Sequence, residues 1–440
     1  MESWTDFCSR SLVDKIVHYL TECTYENFTA FKVNNRNLAV NGEFYFINNF
    51  NAWKRFVLCD RNCATILQHF THIHDTRGNN TDANVSKEVF EQLLSKSGDW
   101  PIRIQRCSLQ KEKICVYLNR MDVIPNIIKT AISCDNTFGR IIANDKVFNL
   151  RYQSDTKSDL TTQRLRLIRS IIAKVMDLHG YRISDEDCND KYIFTSRSKG
   201  SIEDGYERYV CGVVKNIQSN TKEIHATWEQ CIKDRMDYLN NNYHYMFNCE
   251  ENEDNVEKYL ILCDMAHAII IFDLISVAPR QPVVIEYNIC KSSTYIRNTK
   301  GASFVLYNTA RIARIIAKYN MMVLCGEFPP LPNIDDVDFS QLQQEEEWEL
   351  IYNFIFGYPQ MLQNCLRYKP NFQIYPQVIC TFLSELCQKF SSYYGKTKIL
   401  MGGSVHLAPK MFARLYMLQA LQVVLSNALS ILDIKPVSQM

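Results

Sequence analysis

The stretch that most constrains this chain is a leucine-rich run near its end. Pro409 suits a first helical position and Lys435-Pro436 supplies a stop, so a helix is expected from about Pro409 to about Asp433. Leu415, Leu418, Leu421, Leu425, Ala428, Leu429 and Leu432 make that helix apolar around most of its circumference, which requires it to be largely buried as the spine of a helical bundle. The short tail Pro436-Val-Ser-Gln-Met440 then has a surface to fold back on.

A second helix is expected over Phe304–Tyr319, which holds no Gly or Pro and repeats Leu306, Ala310, Ala313 and Ala317 at helical spacing. Tyr307, Arg311, Arg314 and Lys318 fall at i, i+4, i+7 and i+11, so one ring and three cations share a stripe. Single-stranded RNA needs that composition, because cations follow phosphates while rings accept unstacked bases. An ordinary solvated helix face has the same appearance, since basic stripes are common on surface helices. A third segment, Phe382 to Leu400, holds the adjacent Tyr393 and Tyr394, followed by Lys396 and Lys398. On a helix two adjacent residues point about 100° apart, so at most one tyrosine is free to stack on a base while the other packs in the bundle. From residue 360 to 440 there are eight basic residues, Arg414 among them, against two acidic ones, in a chain whose formal net charge is +1. The acids gather instead between Asp335 and Glu349. Segregation of this kind points to a polyanion-binding face.

With 440 residues and 46% hydrophobic content, the chain can bury two or three cores. Its 17 cysteines are odd in number and irregularly spaced, and the first twenty residues carry Asp6, Arg10, Asp14 and Lys15 where a signal peptide would have an apolar core. A reducing, cytoplasmic setting is the expectation. The most apolar window, Leu260 to Ala278, is interrupted by Asp264, His267 and Asp273, so no membrane span is expected.

In chain order, Leu12–Leu20 reads as amphipathic and Gly42–Phe50 as strand. Cys59-x3-Cys63 followed by His69, His72 and His74 has a spacing that can in principle hold zinc. It lacks a paired CxxC and an i, i+4 histidine pair, so these residues are read as structural, with no metal and no cofactor expected. Gly78 to Thr81 reads as a loop. Ile102–Gln105 and Ile114–Leu118 are strand-like; Leu160–Gly180 is a strong helix ending in glycine, followed by strands at Tyr181–Ile183 and Tyr209–Val214, an α/β layer pattern. No HExxH, GxSxG, GxxxxGK[ST] or GxGxxG occurs, and His225, His244 and His267 have no adjacent nucleophile. No catalytic residue is assigned.

The segments opening at Gly301, at Phe382 and at Arg414 resemble, in that order, the DALR anticodon-binding domain that ends arginyl-tRNA synthetases, a helical bundle that reads the anticodon. Lys300–Ala313, Phe328-Pro-Pro, Val337–Leu342, Glu346-Glu-Trp348 and Phe390–Gly395 look like the DALR anticodon-binding domain-containing protein 3 family. The helix beginning near Gln163 looks like the one that follows the HIGH signature of a class I synthetase. Asp159-Leu160-Thr161-Thr162 stand in the signature's place, and Ser196–Ser201 is off-pattern for a KMSKS loop. Asp159 would repel the ATP phosphate that the signature's histidines stabilise. Ala266–Ser276 looks like the helix that joins synthetase body to anticodon domain.

The resemblance implies an N-terminal α/β region over 1–95, a degenerate class I synthetase-like (Rossmann-like) α/β body over 96–298 and an all-α DALR anticodon-binding helical bundle over 299–440. It implies a non-catalytic protein that binds arginine tRNA and partners a methyltransferase making 3-methylcytosine in the anticodon loop. A divergent arginyl-tRNA synthetase and a protein scaffold without RNA binding are the alternatives. Expected RNA contacts are Tyr307, Arg311, Arg314, Lys318, Tyr393, Tyr394, Lys396, Lys398, Arg414 and, from the family's Pro-Val-x-x-Met ending, Met440.

Overall fold

The aromatic strand Phe44–Ile47 pairs antiparallel with Lys113–Leu118, although some sixty residues separate them. A computed structural model describes residues 9–25, 28–59, 62–74, 82–141, 146–185, 188–247, 255–285, 301–368, 371–401 and 405–436. Packing divides the chain into two units. The first comprises Met1–Ser133, Pro332–Gln360 and Phe412–Met417; the second comprises Cys134–Leu331, Met361–Met411 and Leu418–Met440. Gly78, the stretch 79–81 and Met440 lie outside the described residues.

In the first unit the sheet runs in the order Phe31–Val33, Phe44–Ile47, Lys113–Leu118, Ile104–Gln110, with every pairing antiparallel. Its last two strands form a hairpin whose turn places Lys111 at φ 56°. Side chains alternate along Phe44–Ile47, burying Phe44 and Phe46 and leaving Tyr45 and Ile47 half-buried, as a one-faced strand requires. Gly42 precedes it at φ +73°, where a Cβ would lie 2.4 Å from the Val116 carbonyl oxygen, so only glycine fits that approach. The boundary expected at residue 95 falls in the helix Asp82–Ser97, between strands that share this sheet. Residues 332–360 also belong to this unit: Trp348 Nε1 donates to Glu43 Oε1 at 2.8 Å, and the Tyr352 hydroxyl donates to the Glu43 carbonyl at 3.0 Å.

The second unit is built on a parallel sheet ordered Arg182–Ile183, Val147–Tyr152, Asp190–Thr195, Glu207–Val210. The helix Asp159–Leu178 crosses between its first two strands in sequence, burying Leu165, Ile168, Ile172 and Val175 at helical spacing. Ser158 caps it by accepting the Thr161 N–H at 3.2 Å. Val214–Asn216 and Val283–Ile285 form a separate parallel pair. The helices Trp228–Phe247, Asn255–Ile275, Ala302–Leu324, Gln377–Lys396 and Ala408–Ile431, the last except for its stretch Phe412–Met417, supply the helical part, which also carries a short ladder between Leu366–Arg367 and Gln373–Ile374. All seven apolar residues assigned to the spine helix are buried, at 1% exposure or less. Among the described residues no helix is long and apolar enough to cross a membrane.

Candidate nucleic-acid interface

The helix Ala302–Leu324 packs beside Gln377–Lys396 in the second unit, with Cys387 Sγ 3.8 Å from the Val305 carbonyl oxygen. Of the row expected from sequence, Leu306 and Ala310 are buried, Ala313 is half-buried and Ala317 is exposed. Val305, Thr309, Ile312, Ile315 and Tyr319 complete the buried side, because the larger side chains remove more apolar area from water. This packing leaves Tyr307, Arg311, Arg314 and Lys318 along one wall of a cavity of about 780 Å³.

The opposite wall is the end of Gln377–Lys396 and the extended chain after it. Thr397 leaves the helix at φ −123°, ψ 120°, so alternation takes over: Lys396 and Lys398 are exposed while Ile399 is buried. Tyr394, Lys396 and Lys398 line this wall with Gly395, Thr397, Ile399 and Leu400, while Ala310 and Ile315 supply apolar surface from the first. None of the lining residues is acidic.

Arg311 sits between the rings. Its guanidinium carbon is 4.4 Å from the Tyr307 ring centroid and 5.1 Å from that of Tyr394. Arg311 Nη2 donates to the Tyr307 hydroxyl at 2.6 Å and Nη1 to Asn308 Oδ1 at 3.3 Å. Asn308 is buried and donates to the Phe304 carbonyl at 2.9 Å, which fixes the oxygen that Arg311 uses. Tyr307 and Tyr394 remain 38% and 39% exposed. Two partly exposed rings, a guanidinium held between them and four further cations make a trough suited to a nucleotide's base and phosphates.

Seven of the ten residues singled out by sequence line this cavity. Tyr393 and Arg414 do not; both are buried. Tyr393 is 1% exposed because it continues the buried row Ile379, Leu383, Leu386 and Phe390. Arg414 lies in the first unit, buried against Glu347, with Nε 2.7 Å from Oε1. Asn308, Ala310, Ile315, Thr397 and Ile399 were missed by sequence reasoning. The polar Asn308 inside an apolar helical row was the available signal.

Elsewhere, several acids of the 335–349 stretch have partners, while Asp335, Asp336, Asp338 and Glu346 remain exposed. Glu345 receives Arg120 through two hydrogen bonds of 2.7 and 3.0 Å, Asp335 pairs with Lys129 at 2.7 Å, and Asp338 accepts from Ser340 and Gln341. The residues at the HIGH positions have structural partners. Asp159 Oδ2 accepts the Trp228 N–H at 2.7 Å, Leu160 is fully buried, Thr161 Oγ1 accepts the Val214 N–H at 3.2 Å, and Thr162 Oγ1 accepts the Asp155 N–H at 2.8 Å. Desolvation would raise the Asp155 pKa, but Lys222, Ser196 and the Lys157 N–H outweigh it and hold the carboxyl below its usual range.

The family described as "DALR anticodon binding domain" matches residues 305–440, the stretch that supplies both walls of the cavity. That C-terminal segment is a DALR anticodon-binding domain. Over 182 residues the chain is 30% identical to DALR anticodon-binding domain-containing protein 3 of Danio rerio, covering 40% of this chain and 32% of the relative. The same-named protein of Rattus norvegicus is 33% identical over 175 residues, covering 39% and 32%. The match thus spans about a third of these relatives' length. An arginine–tRNA ligase of Saccharolobus solfataricus is 28% identical over 191 residues, covering 43% of this chain and 26% of the relative. Two solved structures share the fold of the chain. They are the arginyl-tRNA synthetases of Thermus thermophilus (TM-score 0.56, 9% identity, 98% of this chain and 100% of that one) and Plasmodium falciparum (TM-score 0.63, 10% identity, 98% and 99%).

Proposed function

We propose that this chain binds arginine tRNA through the DALR-domain trough and presents its anticodon loop, without catalysing a reaction, to a cytoplasmic methyltransferase that forms 3-methylcytosine. The observation that carries RNA binding is Arg311 between Tyr307 and Tyr394, with Arg314, Lys318, Lys396 and Lys398 around them. Rings and cations at this spacing accept an unstacked base and its flanking phosphates together. The arginine identity of the tRNA rests on the names of the relatives and on the fold. Absence of catalysis rests on Asp159-Leu160-Thr161-Thr162, whose side chains are committed to the helix N-terminus and its neighbours. Phosphate brought there would meet a carboxylate where the synthetase signature has a histidine.

The test mixes the purified chain, a 3-methylcytosine tRNA methyltransferase and arginine tRNAs. Methylation is expected to depend on this chain for arginine tRNAs and not for tRNAs the enzyme modifies alone. Equal methylation with and without the chain overturns the adaptor role, while sequencing of RNA crosslinked to the chain tests tRNA binding separately. A second reading, an aminoacylating enzyme, is favoured by the likeness of fold to arginyl-tRNA synthetases. Arginine-dependent ATP–pyrophosphate exchange by the pure chain would establish it.

A further inference from the structure

Four soft donors meet at one helix in the first unit. Thr65 caps the helix Ile66–Ile73 by accepting the Gln68 N–H at 3.2 Å, and the first turns bring His69 and His72 to one face at i, i+3 spacing. The chain preceding the helix returns two cysteines to this face. Cys59 Sγ is 3.1 Å from Cys63 Sγ, and Cys63 Sγ is 2.9 Å from His72 Nδ1. Ligand atoms of Cys59, Cys63 and His69 all lie within 4.8 Å of one another, and no disulfide joins the cysteines. His69 is 5% exposed, and its Nδ1 has no hydrogen-bond partner. A buried ring nitrogen left in that state costs free energy unless something satisfies the ring's polar atoms.

We propose that Cys59, Cys63, His69 and His72 bind one zinc ion that fastens Cys59 and Cys63 to the helix Ile66–Ile73. Two thiolates neutralise a divalent ion, and two neutral imidazoles complete the closed tetrahedral set of a structural site. Zinc–sulfur bonds of about 2.3 Å and zinc–nitrogen bonds of about 2.0–2.1 Å need ligand atoms roughly 3.3–3.8 Å apart, within reach of side-chain rotation from the observed arrangement. Binding deprotonates both thiols and releases their protons to solvent, so affinity falls with falling pH. Spacing alone argued against this site because the histidine pair is i, i+3, and the placement of the two cysteines beside it is not written in the spacing.

The test uses the full chain with any histidine tag removed, purified under nitrogen without added reductant or chelator. Metal analysis is expected to find about one zinc per chain in the native protein and in His74→Ala, and less than a tenth of that in the Cys59→Ser/Cys63→Ser double variant. Cobalt titrated into the metal-free native chain is expected to give the visible bands of tetrahedral coordination together with thiolate-to-metal charge transfer. This second measurement holds even if the double variant fails to fold. Zinc content unaffected by the double substitution, a native chain that takes up neither metal, or an intact mass showing a Cys59–Cys63 disulfide overturns the proposal.

Discussion

Tyr393 and Tyr394 are neighbours in sequence and opposites in environment, 1% and 39% exposed, because one helical step carries the second ring from the bundle interior to the cavity wall. Replacing each by alanine separates folding from recognition. Tyr394→Ala is expected to weaken arginine-tRNA binding by about 1–3 kcal/mol with the melting temperature nearly unchanged. Tyr393→Ala is expected to destabilise the fold by roughly 3–5 kcal/mol, the range for emptying a large aromatic site. Fluorescence anisotropy and thermal melts read the two effects. A Tyr394→Ala protein that binds RNA normally removes the stacking role.

Arg314, Lys318, Lys396 and Lys398 differ from the tyrosines in what they offer RNA. Neutralising any one that contacts a phosphate should weaken binding similarly across tRNA sequences and reduce the slope of log K against log salt by about 0.7. Titrations at several salt concentrations check this. A substitution that changes discrimination among tRNAs but leaves the slope intact would assign that cation to a base edge.

Arg414 and Glu347 form a buried pair, with side chains 4% and 0% exposed. Arg414→Met leaves an uncompensated carboxylate inside the first unit and is expected to cost about 3–5 kcal/mol of stability. Joint replacement of both by apolar residues of similar volume should recover most of that loss. Chemical denaturation measures it, and tRNA affinity at saturating folded protein should not change. A folded Arg414→Met protein with weakened RNA binding restores the contact role expected from sequence.

Asp155 Oδ2 accepts from Lys222 and Ser196, and the Asp155 N–H donates to Thr162 Oγ1 on the helix Asp159–Leu178. Its folded pKa lies below the ordinary value of 3.8, so the unfolded chain takes up a proton first as pH falls. The stabilisation is present above that ordinary value and is lost as pH falls through the lower folded value. Asp155→Asn should therefore destabilise the protein at pH 7 and show a shrinking deficit as the pH is lowered past about 4. Denaturation midpoints across this range test the sign; a deficit that grows on acidification contradicts it.

Periodicity within single helices was enough to read the buried spine, the cationic stripe of Ala302–Leu324 and the opposed directions of Tyr393 and Tyr394. The row Ile379, Leu383, Leu386, Phe390 was also there to say which tyrosine goes inward, since a helix repeats its buried face every three or four residues. Tertiary structure alone decided that Arg414 meets Glu347, that strands on either side of residue 95 share a sheet, and that Lys396 and Lys398 face Arg311 across one trough. Each of those outcomes depends on which distant segment covers a surface, and local residue patterns fix the face a segment presents without fixing the segment that meets it.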